Sequence, residues 1–97
     1  MHKILYHKLV LKEDFKSISK SDRRKIVKAI RKKLSKAPEV FGKALRKDLK
    51  GYFRLRVDFY RVVYRINKGR VVVLIIKVGL RKDMKVYIEA AKRLGLL

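Results

Sequence analysis

The chain has 97 residues, of which 48% are hydrophobic, so it is long enough for one domain with a packed core, residues 1–97, and too short for two. Its 29 lysine and arginine residues outnumber 8 acidic residues and give a net charge of +21, which predicts a polyanionic partner: nucleic acid first, then an acidic protein or an anionic membrane. The absence of cysteine excludes disulfide scaffolds, zinc ribbons and thiol nucleophiles. The longest apolar run, residues 71–76, is too short to span a membrane. We therefore expect a cytoplasmic protein with no membrane partner.

The first part of the chain predicts a short strand and then helical structure. Residues 3–9 alternate loosely between apolar and polar side chains and indicate a strand, and residues 11–17 indicate one or two helical turns. Ser19 and Asp22 match the capping-box pattern that begins a helix. Apolar residues then recur at helical spacing, and we expect Pro38 to end this helix.

The predicted helix carries many cations and few acidic residues. An exposed basic face of this kind can guide a phosphate backbone without sequence preference. The same pattern is typical of an ordinary solvated helix face, on which the aliphatic stems of long side chains cover apolar neighbours. One surface can serve in both ways. The candidate RNA-binding residues on this helix are Arg23, Arg24, Lys28, Arg31 and Lys32.

The second half of the chain predicts three strands and a final helix. Residues 52–58 and 60–66 alternate between apolar and polar side chains, as amphipathic strands do. Residues 71–78 are apolar apart from Lys77 and predict a central strand covered on both faces, which ends at Gly79. Apolar residues at helical spacing follow and predict a last helix that finishes near the end of the chain.

Together these elements predict an α+β domain with the order β-α-α-β-β-β-α. Short turns join the three late strands, so we expect them to form an antiparallel sheet. Helices packed on one face of that sheet would complete the core. The sequence contains no repeat and no linker, which favours a single domain.

The hairpin between the two amphipathic strands is expected to bring arginines together. If Asp58 begins a two-residue turn, Arg56 lies directly opposite Arg61, and Arg54 lies beside them on the same face. Like charges across a strand pair destabilise a sheet, so three arginines there indicate an anion between them, and a phosphate fits the guanidinium fork. In the alternative interpretation, the guanidinium groups extend into water or pair with Asp58 and another carboxylate.

Metal and carboxylate chemistry find little support in the sequence. His2 and His7 are the only histidines, and five residues apart in a regular strand they would face opposite sides. No pair of carboxylates stands at a spacing that suggests acid–base catalysis. We therefore expect neither a metal site nor a cofactor.

Two stretches of the sequence carry a resemblance to a known family. The run LRVDFYRVVY, followed by VGLR and then by VY, resembles the central motif, the last strand and the start of the final helix of the RelE toxin family. The resemblance covers about residues 45–93, and the order of the elements before it agrees with the family.

The resemblance implies the toxin of a type II toxin–antitoxin pair that cuts messenger RNA on the ribosome. Such toxins enter the ribosomal A site, contact ribosomal RNA and cut the codon there. The messenger's own 2′-hydroxyl attacks the adjacent phosphorus and leaves a 2′,3′-cyclic phosphate. The resemblance also implies an acidic, RelB-like antitoxin, and the charge of the chain predicts a partner that wraps the basic surface with an amphipathic helix.

Position by position, the resemblance implies catalytic roles for four residues. Arg61 is expected to bind the phosphate and stabilise its transition-state charge, Arg81 to assist the leaving group or the phosphate, and Tyr87 to act as general base. Arg54 stands where the family often has a catalytic or phosphate-binding lysine. Further candidates for binding RNA or its phosphates are Arg46, Arg56, Tyr52, Lys82 and Lys85.

Three positions leave alternatives open. Tyr52 stands where a second basic residue is common in the family, and it could stack on a base instead. Asp83 stands where some members are basic. Tyr87 belongs to an apolar stripe of the last helix, where a tyrosine is usually part of the core.

Two other functions are compatible with the sequence. Residues 20–93 have the order α-β-β-β-α, which is that of the double-stranded-RNA-binding module, a domain that recognises duplex RNA by shape and has no catalytic activity. The other is a toxin of the same fold with a different target, as in relatives that poison gyrase.

Overall fold

Five strands and three α-helices form the fold in the computed structural model, which describes residues 1–82 and 84–97. The strands are β1 (Lys3–Tyr6), β2 (Lys43–Ala44), β3 (Tyr52–Val57), β4 (Tyr60–Asn67) and β5 (Val72–Leu80). The helices are α1 (Lys20–Ala29), α2 (Pro38–Phe41) and α3 (Lys85–Arg93). Single helical turns occupy Val10–Asp14, Phe15–Ser17, Ile30–Leu34 and Lys47–Leu49. None of the helices in these residues has the length and apolar content needed to cross a membrane.

The strands form one sheet in the order β1-β5-β4-β3-β2. Strands β3, β4 and β5 are the predicted antiparallel meander, and the hairpin has the predicted register, with Arg56 opposite Arg61. The expectation of an antiparallel sheet is wrong at one edge, because β1 pairs with β5 in parallel. The helical part of the chain between β1 and the meander provides the long connection that a parallel pair requires.

Helices cover both faces of the sheet, which confirms the α+β class and corrects the expectation that they pack on one face. Ile26 and Ile30 pack with Val62 in one core cluster, on the side of α1. Ala90 of α3 packs with Val63 in a second cluster. Because neighbouring residues of β4 point to opposite faces and both are apolar, each face needs its own cover.

The helix after Ser19 begins as predicted and ends earlier than predicted. The Ser19 hydroxyl accepts a hydrogen bond from the backbone N–H of Asp22 at 3.2 Å, which confirms the cap. The helical run continues through the turn Ile30–Leu34 and stops there. Pro38 does not end this helix, because it is the first residue of α2, a position where the missing N–H of proline costs nothing.

Candidate active site

An open cavity of about 830 Å³ lies over the hairpin arginines and against the start of α3. We call it the cationic cavity. It is lined by Leu45, Arg46, Lys47, Leu49, Arg54, Arg56, Arg61, Arg81, Lys82, Met84, Val86 and Tyr87. Seven of these residues are lysine or arginine, and none of the described residues that line it is acidic. The described lining is therefore strongly cationic and would attract an anion.

Arg61 is the most deeply placed cation of the cavity, with 6% of its surface exposed. Its Nη1 donates hydrogen bonds to the backbone carbonyls of Tyr60 at 2.9 Å and Asp58 at 3.2 Å. Burial lowers the pKa of Arg61, and the nearby charge of Arg56 lowers it further, while the phenol of Tyr87 acts in the opposite direction. Arginine keeps its proton under such shifts, so the cavity holds a rigid, poorly solvated positive charge.

The other cavity cations are not neutralised by carboxylates of the described residues. The carboxylate of Asp58 forms its ion pair with Lys25 at 3.1 Å, away from the hairpin arginines. Ion pairs within residues 1–82 and 84–97 involve none of the lysines and arginines that line the cavity. The alternative in which Asp58 neutralises the arginines is therefore wrong. The backbone carbonyl of Asp58 accepts a hydrogen bond from Arg61, but the carboxylate of Asp58 forms no ion pair with Arg61.

The hairpin turn holds Arg81 at the edge of the cavity. The backbone N–H of Arg81 donates to the carbonyl of Phe59 at 2.7 Å, so the segment after β5 is tied to the β3–β4 turn. The chain then reaches α3 through Met84, whose φ of 65° is in the left-handed region. These backbone constraints bring a cation from a third segment next to Arg56 and Arg61.

Gly79 allows α3 to approach the sheet closely and so brings Tyr87 to the cavity. A Cβ at Gly79 would lie 3.2 Å from Cγ2 of Val86, which is tighter than an ordinary contact. Gly79 is paired with Arg61 across the sheet. The half-buried Tyr87, one residue after Val86, lines the cavity and also packs against the second core cluster. It thus has both the core contacts and the access to the cavity that the sequence suggested.

The loop before β3 supplies the opposite wall. The backbone N–H of Leu45 donates to the carbonyl of Tyr52 at 2.9 Å, and the turn Lys47–Leu49 places Arg46 and Lys47 at the cavity. Lys47 and Met84 were missed by the sequence reasoning. The signal for Lys47 was its place beside Arg46, whereas nothing in the spacing of Met84 distinguishes it from a core residue.

The remaining candidates lie elsewhere. Tyr52 is half-buried and packs in the second core cluster, outside the cationic cavity, and Lys85 lines a separate cavity of about 290 Å³. Lys32 is exposed on the helical turn after α1. Asp83 lies outside the described residues. A second groove, of about 500 Å³, is lined by Arg23, Arg24, Val27, Lys28 and Arg31.

Metal ligands do not gather anywhere in residues 1–82 and 84–97: no three His, Cys, Asp or Glu side chains stand close enough to hold an ion. The titratable groups that the described residues bring to the cationic cavity are guanidinium groups, ammonium groups and one phenol.

Comparison with known proteins places the chain in a family. Residues 4–84 match the family described as the ParE toxin of the type II toxin–antitoxin system, parDE. The Toxin RelG of Mycobacterium tuberculosis is 41% identical over 50 residues, which cover 52% of this chain and 58% of that protein. The chain thus matches little more than half the length of this curated relative.

Two solved structures resemble most of the fold. The RelBE2 toxin–antitoxin complex of Mycobacterium tuberculosis contains a chain that is 28% identical, with a TM-score of 0.77 over 84% of this chain and 93% of that one. A mutant of the Escherichia coli toxin RelE in the free state is 27% identical, with a TM-score of 0.75 over 96% and 97% of the two chains.

The fold and the comparisons together define the class, a toxin of a type II toxin–antitoxin system. Within that class, the chain belongs to the ParE toxin family, and its similarity to RelE toxins confirms the resemblance noted in the sequence.

Proposed function

We propose that this toxin is a metal-independent endoribonuclease that cuts messenger RNA in the ribosomal A site. The observation that carries the proposal is the convergence of Arg61, Arg81 and Tyr87 on one cavity whose cations have no acidic partner among the described residues. A phosphodiester is the anion that fits best, because guanidinium groups bind phosphate oxygens through paired hydrogen bonds. The 2′-hydroxyl of RNA supplies the nucleophile.

The proposed reaction forms one bond and breaks one. The 2′-oxygen of the messenger bonds to the adjacent phosphorus while the bond from phosphorus to the 5′-oxygen breaks. This leaves a 2′,3′-cyclic phosphate and a 5′-oxygen that takes up a proton from water to become the 5′-hydroxyl. Tyr87 is the candidate general base for the 2′-hydroxyl proton, since it is the phenol that lines the cavity. Arg81 is assigned to the leaving oxygen or to the phosphate.

Arg61 is the candidate for stabilising the charge that develops on the phosphorus oxygens. Both protons of Nη1 are already donated to backbone carbonyls, so Nη2 and Nε remain for the phosphate. A cation about 5 Å from a charged oxygen contributes about 3 kcal/mol at an effective dielectric of about 20. Because the carbonyls hold the group in place beforehand, it needs no reorganisation during the reaction.

The test is codon-resolved mapping of cleavage in a purified translation reaction. Arg61→Ala is expected to lower the cleavage rate by about 10²- to 10³-fold, as loss of a preorganised charge-stabilising group does. Tyr87→Phe is expected to lower it by about 10²- to 10⁴-fold, as loss of a general base does. Growth arrest on expression should disappear in both variants.

Arg65→Ala is the matched control, because Arg65 lies on β4 with Arg61, is exposed and lies outside the cavity lining. This variant should cleave like the unaltered toxin. Circular dichroism should show that all three variants fold. If folded Arg61→Ala and Tyr87→Phe proteins both remain fully toxic, the nuclease assignment is wrong.

A toxin of this fold with another target is the second candidate, and the match to a family described as ParE toxins favours it. The same translation reaction separates the two. Growth arrest by the unaltered chain without any cleaved codon would favour the second candidate and count against the ribosomal nuclease.

The charge of +21 is the one observation that still supports the third function considered from the sequence, a duplex-RNA-binding module, because the chain belongs to a toxin family and its sheet has five strands. That function predicts tight binding that depends on duplex length near about 16 base pairs. Titration with duplexes of increasing length at physiological salt tests it, and binding to duplex without cleavage of messenger would favour this candidate.

The proposed protein partner is an acidic, RelB-like antitoxin. Two of the similar structures are complexes, one named RelBE2 and one of Escherichia coli RelE with the antitoxin peptide RelBc. In this chain, seven cations line one cavity and the basic residues of α1 line a second groove. An acidic segment that covers the cavity would neutralise these cations and exclude the messenger at the same time. The further proposed contacts are messenger RNA and ribosomal RNA.

A further inference from the structure

We infer that Phe59 forms a stacking subsite for one base of single-stranded RNA beside the cationic cavity, an inference that rests on the proposed RNA substrate. Phe59 is the second residue of the two-residue β3–β4 turn, and 76% of its surface is exposed. Such turns are normally built from glycine, asparagine or aspartate. A turn of this kind needs a residue with a positive φ, and Asp58 supplies it with a φ of 52°. The turn itself therefore does not require an aromatic ring at the next position.

The turn that carries Phe59 is also the structural link between two arginines of the cavity. The carbonyl of Asp58 accepts from Nη1 of Arg61 at 3.2 Å, and the carbonyl of Phe59 accepts from the backbone N–H of Arg81 at 2.7 Å. Phe59 is not one of the residues that line the cationic cavity, so its ring is placed for a flanking base and not for the phosphate itself. A phosphate bound between the two arginines would lie next to the turn that holds them, and the base of a neighbouring nucleotide could then reach the exposed ring.

The surroundings of the ring favour a nucleobase as its occupant. An aromatic side chain next to a basic groove is the usual platform for single-stranded RNA, because the cations hold the backbone and the ring stacks on a base. The cationic cavity supplies the groove. Because every base has a π-face, this subsite would add affinity and fix the strand's position without reading one particular base.

The experiment measures RNA binding without cleavage and without the ribosome. The full chain carrying Tyr87→Phe is titrated at one fixed low salt concentration with single-stranded RNA hexamers that have 2-aminopurine at each position in turn. Stacking on Phe59 should quench the fluorescence most strongly at one position. Adding Phe59→Leu should remove that quenching and weaken binding by about 5- to 150-fold, the range for loss of one base–aromatic stack.

The controls separate stacking from other effects. Phe59→Trp should restore affinity and quenching, since it returns an aromatic face. Val40→Ala, at an apolar residue of α2 that is 77% exposed, should change neither. Equal binding with and without Phe59→Leu, a loss of affinity that Phe59→Trp does not restore, or no binding of any hexamer would each overturn the subsite.

Two further outcomes distinguish this inference from the proposed function. If Phe59→Leu weakens only the complex with the antitoxin, the residue is a protein contact and the inference is wrong. If Phe59→Leu removes the quenching and weakens hexamer binding, but the unaltered chain cleaves no codon in the translation reaction, the subsite stands and the nuclease assignment fails.

Discussion

At the scale of single residues, Gly42 determines how the chain passes over the buried phenol of Tyr64. A Cβ at Gly42 would overlap the hydroxyl of Tyr64 and lie 2.7 Å from its Cζ. The phenol cannot move aside, because its hydroxyl donates to the carbonyl of Pro38 at 2.6 Å and its ring stacks on Phe53 at 5.6 Å. Burial raises the pKa of Tyr64, so the hydroxyl keeps its proton and remains a donor. The segment that leads into the Arg46 loop is held at this point.

Gly42→Ala should therefore destabilise the protein, by about 1–3 kcal/mol in the free energy of unfolding, the usual cost of overpacking. Gly69→Ala is the matched control, since a Cβ there would meet its nearest neighbour, Oδ1 of Asn67, at an ordinary 3.7 Å. Denaturant titration measures both. Tyr64→Phe removes the overlapping oxygen, so the double variant should be less destabilised than the sum of its single variants. Equal stability of the two alanine variants would contradict this account.

At the scale of elements, α3 is attached to the sheet by a buried ionic cluster around Asp14. The side chain of Asp14 is 1% exposed. Its oxygens accept from Nη1 and Nη2 of Arg93 at 2.8 and 3.0 Å, from Nζ of Lys77 at 3.0 Å and from the backbone N–H of Val78 at 2.9 Å. The cluster joins the turn Val10–Asp14, β5 and α3. It thereby helps to hold the helix that carries Tyr87.

The cluster predicts a loss of stability in acid. Burial alone would raise the pKa of Asp14, but hydrogen bonds from Arg93, Val78 and Lys77 outweigh it and lower the pKa below its ordinary value. A carboxylate whose pKa is lower in the folded state contributes stability that is complete above its unfolded pKa, near pH 4, and is lost as the pH falls through the folded pKa.

Asp14→Asn should remove this acid-dependent contribution and lower the unfolding free energy at pH 7 by about 3–5 kcal/mol, because Lys77 and Arg93 lose their buried partner and keep only longer pairs with the more exposed Glu89 and Glu13. Glu39→Gln, which breaks the exposed pair with Lys68, is the control and should have little effect. Denaturant titrations from pH 2 to pH 7 give both curves. Parallel curves for Asp14→Asn and the unaltered chain below pH 4 would contradict the assignment.

The elements that sequence predicted well are those fixed by neighbouring residues. The two-residue turn at Asp58 determines the whole β3–β4 register, so the opposition of Arg56 and Arg61 followed from counting. The partner of β1 and the sheet face covered by α3 could not be obtained in this way. Both depend on contacts between distant segments, and local alternation of apolar residues does not encode which segment pairs with which.

The residues of the candidate site show the same difference between features fixed by neighbouring residues and features fixed by distant segments. Arg54, Arg56 and Arg61 came together because one hairpin carries all three. Tyr52 lies on the same strand and face as Arg54 and Arg56, yet it packs in the second core cluster under α3. The position of the helix, and not the alternation along the strand, determines which part of that face is covered. The place of α3 also depends on Gly79, whose role is visible only once Val86 lies against it.

At the scale of the whole molecule, most of the carboxylates of the described residues are engaged away from the cationic cavity. Of the 8 acidic residues, Glu13, Asp14, Glu39, Asp58 and Glu89 form ion pairs with cations outside the cavity. Asp22 accepts from the hydroxyl of Tyr60 at 2.7 Å. Seven of the 29 lysines and arginines line the cavity and form part of a net charge of +21, so long-range attraction should govern how the proposed acidic antitoxin finds the chain.

This predicts that association with the antitoxin is steered by charge. Its rate constant, measured by stopped-flow fluorescence with the purified antitoxin, should be highest at low salt and fall towards the unsteered range of about 10⁵–10⁶ M⁻¹s⁻¹ as salt shortens the Debye length. Dissociation should change less, because apolar contacts resist screening. Arg54→Gln combined with Arg56→Gln should flatten the salt dependence, whereas Arg70→Gln, on the exposed turn after β4, changes an isolated charge and should flatten it less. A rate constant that is indifferent to salt would show that the cationic cavity does not attract the antitoxin, and its charge would then be accounted for by RNA alone.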